Sequence, residues 1–143
     1  MTPHIRAKRS AEAMWANDKA SQWLGMEIAD VNEGTATLTL VVQAHHCNGH
    51  AICHGGFIFT LADSAFAFAC NSRNAVTVAQ HNTISFIAPG KLGDTLTATA
   101  REVSLRGRSG LYDVTVTNQN GETIAEFRGA SRTIQGQLFS EEE

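Results

Sequence analysis

The sequence predicts an α+β domain in which one long helix is wrapped by a curved, six-stranded antiparallel sheet. Three features lead there. Residues 55–71 are apolar on nearly every face of a helix, from Phe57 and Ile58 to Phe68 and Ala69, so that helix belongs inside something. Four strand-like segments follow it and two precede it. No helix alternates with those strands, which argues against βαβ units and a parallel sheet.

Taken in order, residues 9–24 read as a short helical segment, because Ala11, Ala13, Met14 and Ala16 are good helix formers and Trp15 and Trp23 add apolar bulk. Gly25 stops it. Residues 26–31 and 35–42 form a hairpin about Asn32-Glu33-Gly34, with Ala36, Leu38, Leu40 and Val42 on one face and Thr35, Thr37 and Thr39 on the other. An unusual loop, QAHHCNGHAICH, occupies residues 43–54 before the apolar helix. Strands follow over 76–88, 95–104, 110–118 and 123–134, the last two joined by the turn signal Asn120-Gly121. With no repeat and no linker, residues 1–143 make one domain, and residues 135–143 read as a frayed acidic tail.

Composition excludes several function classes. At 143 residues, with 43% hydrophobic and 17% charged residues, the chain is long and apolar enough to bury a core. Its net charge of −3 matches the three terminal glutamates, so the body is neutral and lacks the basic surface that holds nucleic acid. Residues 1–15 have no apolar stretch of the secretory kind. The longest apolar run, 55–70, carries Asp63 near its centre and is too short for a membrane span. A cytoplasmic protein is expected. Three cysteines, an odd number, are expected as free thiols.

Asp63 is the most informative residue. It stands mid-helix in apolar surroundings, too far from the helix end to cap it, and an unpaired buried carboxylate costs several kcal/mol. Either a neighbouring arginine or strand amides satisfy it structurally, or it serves as a base or nucleophile in a dry pocket; desolvation favours the second. His54-Gly55-Gly56 opens the same helix, where unpartnered first-turn amides and the positive dipole end suit a developing oxyanion. Residues 55 and 63 are eight apart, roughly 12 Å along a helix at 1.5 Å per residue. Reacting atoms must approach to about 3–3.5 Å, so if both residues serve one bond they come from different chains of a two-fold dimer.

The loop offers rivals. Cys47, His50 and Cys53 have a spacing that suits zinc, but they crowd into one segment, whereas structural zinc sites draw ligand pairs from two. The Asn48 amide is a better donor to a substrate oxygen or sulfur than either cysteine. Cys53 and Cys70 read as small buried hydrophobes rather than activated thiols.

Residues 48–72, NGHAICHGGFIFTLADSAFAFACNS, resemble the hotdog-fold acyl-CoA thioesterases, and most closely those of phenylacetic acid degradation. The likeness continues through residues 83–100 and 110–134. It implies that two subunits join their sheets, commonly as half of a tetramer, with the site between them. By resemblance, Asp63 activates water or attacks the thioester, Gly55 donates its amide to the carbonyl, Asn48 polarises the thioester and His54 supports them. Some relatives place a water-positioning hydroxyl where this chain has Ala79 and Gln80, which leaves Thr77 or Ser64 as substitutes. No metal or redox cofactor is implied, coenzyme A being part of the substrate. Lys91, Arg106, Arg108, Arg128 and Arg132 are the available phosphate partners. The expected reaction is hydrolysis of an aryl- or arylacetyl-CoA, phenylacetyl-CoA or a ring-hydroxylated form; the alternatives are acyl-CoA binding without catalysis and enoyl-CoA hydration.

Overall fold

Threonine alternating with small apolar residues builds the sheet, and the apolar set of each strand turns to one side. In the computed structural model, which describes residues 1–142, six strands form one antiparallel sheet in the order β1-β2-β4-β5-β6-β3. They are β1 (Glu27–Asn32), β2 (Thr35–Val41), β3 (Thr77–Phe86), β4 (Thr95–Arg106), β5 (Ser109–Thr117) and β6 (Thr123–Thr133). Three helices accompany them: α1 (Pro3–Trp15), α2 (Lys19–Leu24) and α3 (Gly55–Cys70). The expected α+β architecture is what forms.

The inner face of the sheet takes α3. Leu38 of β2 lies opposite Ala98 of β4, which in turn lies opposite Val116 of β5, so large and small side chains alternate across the strands. All three are fully buried. On α3, Leu61, Ala62, Ala65 and Ala69 are equally shielded, and Phe66 packs edge-on against Tyr112 with ring centroids 5.7 Å apart. Gly129 on β6 is required there: a Cβ at that position would lie 2.8 Å from the Phe66 ring. Among the described residues no helix is long and apolar enough to cross a membrane.

Two expectations need correction. The N-terminal helical segment starts earlier and is split, because Thr2 caps α1 by accepting from the Ile5 amide with Pro3 in the first turn, and Asp18 caps α2 by accepting from the Ser21 amide. Gly25 ends α2 with a left-handed φ of 89°, as its sequence position suggests. The tail expected to fray is tied down: the Asn74 carboxamide accepts from the Leu138 and Phe139 amides and donates to the Phe139 carbonyl, and Arg6 meets Glu141 at 3.1 Å. Glu143 lies outside the described residues.

Candidate active site

The loop before α3 is fixed by one histidine. His46 is buried; its Nδ1 accepts from the Gln43 amide at 2.9 Å, which leaves Nε2 to donate to the Leu24 carbonyl at 2.9 Å. Burial holds its pKa below the ordinary histidine value, so it stays neutral in that role. Its carbonyl accepts from the His54 amide at 2.8 Å and so anchors the start of α3. Between these points Cys47 pairs with Cys53 in an isolated bridge, and the Asn48 amide donates to the Ile52 carbonyl at 2.9 Å.

Asn48 of this small hairpin and Gly55 at the start of α3 border one cleft. The Asn48 Oδ1 accepts from the His50 amide at 2.8 Å, so its Nδ2 hydrogens remain without an acceptor among the described residues. At the helix start the His54 Nδ1 accepts from the Gly56 amide at 2.9 Å, and the His54 carbonyl accepts from Phe57 and Ile58. The Gly55 amide, by contrast, has no acceptor among the described residues. Asn48 and Gly55 line a cavity of about 540 Å³ together with Ile52, Ile58, Phe86 and Pro89. A free amide at a helix N-terminus, in a cavity that a second free donor also lines, is an arrangement that stabilises negative charge on an oxygen.

Asp63 lies two turns along the same helix and outside that cavity. It is half-buried, and no arginine or backbone amide among the described residues reaches its carboxylate. Its partner is Asn82 of β3, whose Nδ2 donates to Oδ1 at 3.1 Å. Burial pushes the Asp63 pKa up from the usual carboxylate value, the Asn82 hydrogen bond opposes that, and the charge of Asp18 adds to it. A carboxylate so placed is poised to take a proton. Asn82 escaped the sequence reading, although strand parity could have exposed it: Ile84 faces inward, and so does the residue two before it.

The profile of the thioesterase superfamily matches residues 50–125. The chain belongs to that superfamily. It is 46% identical to the acyl-coenzyme A thioesterase PaaI of Escherichia coli over 95% of this chain and 97% of that one. The solved structure of the E. coli PaaI protein from the phenylacetic acid degradation operon superposes with a TM-score of 0.93 at 45% identity, covering 95% and 99% of the two chains. A hypothetical thioesterase from Streptococcus pneumoniae, solved with coenzyme A, gives a TM-score of 0.75 at 27% identity, over 79% of this chain and 90% of that one. The hotdog fold and thioester hydrolysis expected from the sequence are thereby shown.

Both substitute hydroxyls of this thioesterase donate their protons within the chain. Ser21 Oγ donates to Asp18 Oδ2 at 2.7 Å, so in its 2.8 Å contact with Ser64 the Ser64 hydroxyl is the donor. Thr77 donates to the Ala75 carbonyl. Gln80 is the unpaired residue of a bulge in β3, Ala79 precedes it, and both are exposed. Cys53 and Cys70 are not activated: burial pushes the Cys53 thiol up to about 11 and the Cys70 thiol up to about 12. Among the described residues no three metal-binding side chains converge, Cys47, His50 and Cys53 included.

The five basic residues do not form one group within a chain, although Arg106, Arg108 and Arg132 gather where Ser109 lies between Arg106 of β4 and Arg132 of β6. Lys91 pairs with Ile52 of the cleft loop. Arg106 and Arg108 lie at the β4–β5 turn, the opposite end of β4 from Lys91. Arg128 is taken by Asp113 through contacts of 2.6 and 2.9 Å, and Arg132 donates to Ser109 at 3.3 Å.

Proposed function

We propose that this protein hydrolyses acyl-CoA thioesters, with aryl- or arylacetyl-CoA, such as phenylacetyl-CoA, as the preferred class, at sites shared by two subunits. The carrying observation is the placement on one helix of two halves of a hydrolytic site that cannot meet. Gly55 offers an unpartnered amide in an open cleft, while Asp63 offers a desolvated carboxylate about 12 Å further along, by the helical rise of 1.5 Å per residue. A second copy brings the missing half. The sheet edge supports this assembly, since β3 is terminal and exposes Val78 and Phe86, with Ile87 exposed just after it, an apolar rim suited to pairing with its symmetry mate. Tetramer formation is the further expectation from the family resemblance.

The chemistry then balances without a metal or redox partner. The thioester carbonyl sits against the Gly55 amide and the Asn48 carboxamide; water adds to the carbonyl carbon while Asp63 of the other subunit takes a water proton. The carbonyl electrons move to oxygen, held by those donors. On collapse the carbon–sulfur bond breaks, coenzyme A leaves as thiolate, and the Asp63 proton neutralises it. His54 keeps the helix start in place by capping Gly56. Lys91, beside the cleft loop, is the phosphate partner nearest in sequence to the cavity-lining Pro89.

The substrate class follows from the relatives' names and from the apolar lining by Ile52, Ile58 and Phe86. A panel of acyl-CoA esters assayed for free coenzyme A thiol tests it. Highest catalytic efficiency on arylacetyl or aryl esters is expected. Binding without thiol release, or hydration of an enoyl ester in its place, overturns the proposal.

A further inference from the structure

Resting on that reading for its effect on turnover, though not for the bond itself, we infer that Cys47 and Cys53 form a reversible disulfide that lowers activity by displacing the two donors of the cleft. The pairing of their backbones makes the bond possible. The His54 amide donates to the His46 carbonyl at 2.8 Å and the Asn48 amide to the Ile52 carbonyl at 2.9 Å, so the ladder bonds flank Cys47 and Cys53 rather than join them. That is a non-hydrogen-bonded antiparallel pair, whose Cα atoms stand about 4.5 Å apart with both side chains on one face. A disulfide asks for Cα atoms about 4.4–6.8 Å apart and Cβ atoms about 3.8 Å apart. The pair meets the first demand as it stands. Neither sulfur is firmly held: Cys47 Sγ meets the Gln43 carbonyl at 3.5 Å and Cys53 Sγ the His54 carbonyl at 3.7 Å, weak contacts that a χ1 rotation releases.

The two thiols divide the chemistry. Cys47 is half-buried, with its sulfur contact at the surface, and takes the oxidant. With hydrogen peroxide as the two-electron oxidant, the Cys47 sulfur attacks one peroxide oxygen, the O–O bond breaks, and a sulfenic acid and water result. The Cys53 sulfur then attacks the Cys47 sulfur; the S–O bond breaks, and the leaving hydroxide takes the proton of the Cys53 thiol to form a second water. Two thiols are oxidised and one peroxide is reduced. Burial, reinforced by Cys47 itself, holds the Cys53 thiol up at about 11, so its attack is the slow step and quickens as pH rises. Cys70, at the far end of α3 from this loop, stays reduced. The bond reaches the site through the backbone, since Asn48 follows Cys47, Gly55 is two residues beyond Cys53, and Cys53 lines the same cavity. Closing it draws the two Cβ atoms from about 5 Å to about 3.8 Å. Both donors shift with them, and a misplacement of about 1 Å costs on the order of 100-fold in rate.

The test treats the full chain with hydrogen peroxide, desalts it, alkylates the unfolded protein with iodoacetamide, then reduces it, labels it with N-ethylmaleimide and locates both labels by tandem mass spectrometry. Expected are maleimide on Cys47 and Cys53, iodoacetamide on Cys70, a monomer band on a non-reducing denaturing gel, and faster cross-linking at higher pH. The desalted protein, still folded, should release thiol from an arylacetyl-CoA with kcat lower by at least about 5-fold, and recover once dithiothreitol has been added and removed. Cys47→Ser, whose side chain does not line the cavity, should keep kcat within about twofold of wild type and lose the reversible sensitivity to peroxide. Iodoacetamide on all three cysteines, a bond between chains, or complete cross-linking with unchanged kcat overturns the inference, as does equal reversible sensitivity in Cys47→Ser. If reduced wild type releases no thiol from any acyl-CoA, the functional reading itself has failed, and the label pattern still decides whether the bond forms.

Discussion

Two half-buried carboxylates in this molecule live under opposite rules. Glu102 of β4 is saturated: Arg73 reaches it at 2.6 and 3.2 Å, the Tyr112 hydroxyl donates at 2.9 Å, and Arg73 is itself braced by Glu33 at 2.9 Å. Those partners hold its pKa below the ordinary glutamate value. Asp63 has one neutral amide, and burial holds its pKa above the ordinary aspartate value. The same chain thus satisfies one acid completely and leaves the other short. A structural carboxylate is recognised by its surplus of donors, and a working one by its deficit.

The sharpest way to break this contrast is to remove each acid in turn. Asp63→Asn keeps the shape and a hydrogen bond to Asn82 but cannot take a proton; kcat for thiol release should fall by about 100-fold or more, with melting unchanged or raised. Glu102→Gln should do the reverse, lowering unfolding free energy by about 1–3 kcal/mol in denaturant titration while kcat stays within about twofold. Full activity in the first variant, or lost activity with intact stability in the second, dissolves the distinction.

Stability against pH gives the contrast opposite signs. The folded pKa of Asp63 is raised, so between its unfolded value of 3.8 and that raised value the native state binds the extra proton, and stability declines as pH rises through the window. The folded pKa of Glu102 is lowered, so its contribution is full above its unfolded value of 4.5 and is lost as pH falls through the folded one. Urea titrations across these windows should show Asp63→Asn removing a negative slope and Glu102→Gln a positive one. The smallest effect expected is that of Ser64→Ala, about 1 kcal/mol of stability from the lost bond to Ser21, with the kcat–pH profile unmoved. A shifted acidic limb in that variant would return Ser64 to the catalytic group.

Much of this was legible in the sequence, for definite reasons. The strand alternation around Leu38, Ala98 and Val116 and the all-apolar face of α3 are local patterns that burial rewards, so sheet and helix were readable. The helix spacing of Gly55 and Asp63 was readable because helical rise is fixed. Partners set by tertiary contact were not. Asn82 meets Asp63 across 19 residues, Asn74 grips a tail 64 residues away, and Ser64 is claimed by Ser21 at a separation of 43. No local period encodes such pairings. The capping of α1 by Thr2 with Pro3 was in principle visible, since both residues are start signals, but apolar content drew attention to residue 9 instead.

The central claim is that one subunit's carboxylate works on a carbonyl held by another's helix start. Gly55 occupies the first helical position, and His54 before it is extended at φ −58° and ψ 132°, so Gly55→Pro fits the backbone and deletes only the amide hydrogen, with the exposed Phe86 ring giving way. Two differently tagged chains, one Asp63→Asn and one Gly55→Pro, are each expected to be inactive alone. Mixed dimers isolated through both tags should recover about half of wild-type turnover per dimer, one of their two symmetric sites being intact. Mixed dimers as inactive as either parent would contradict the account.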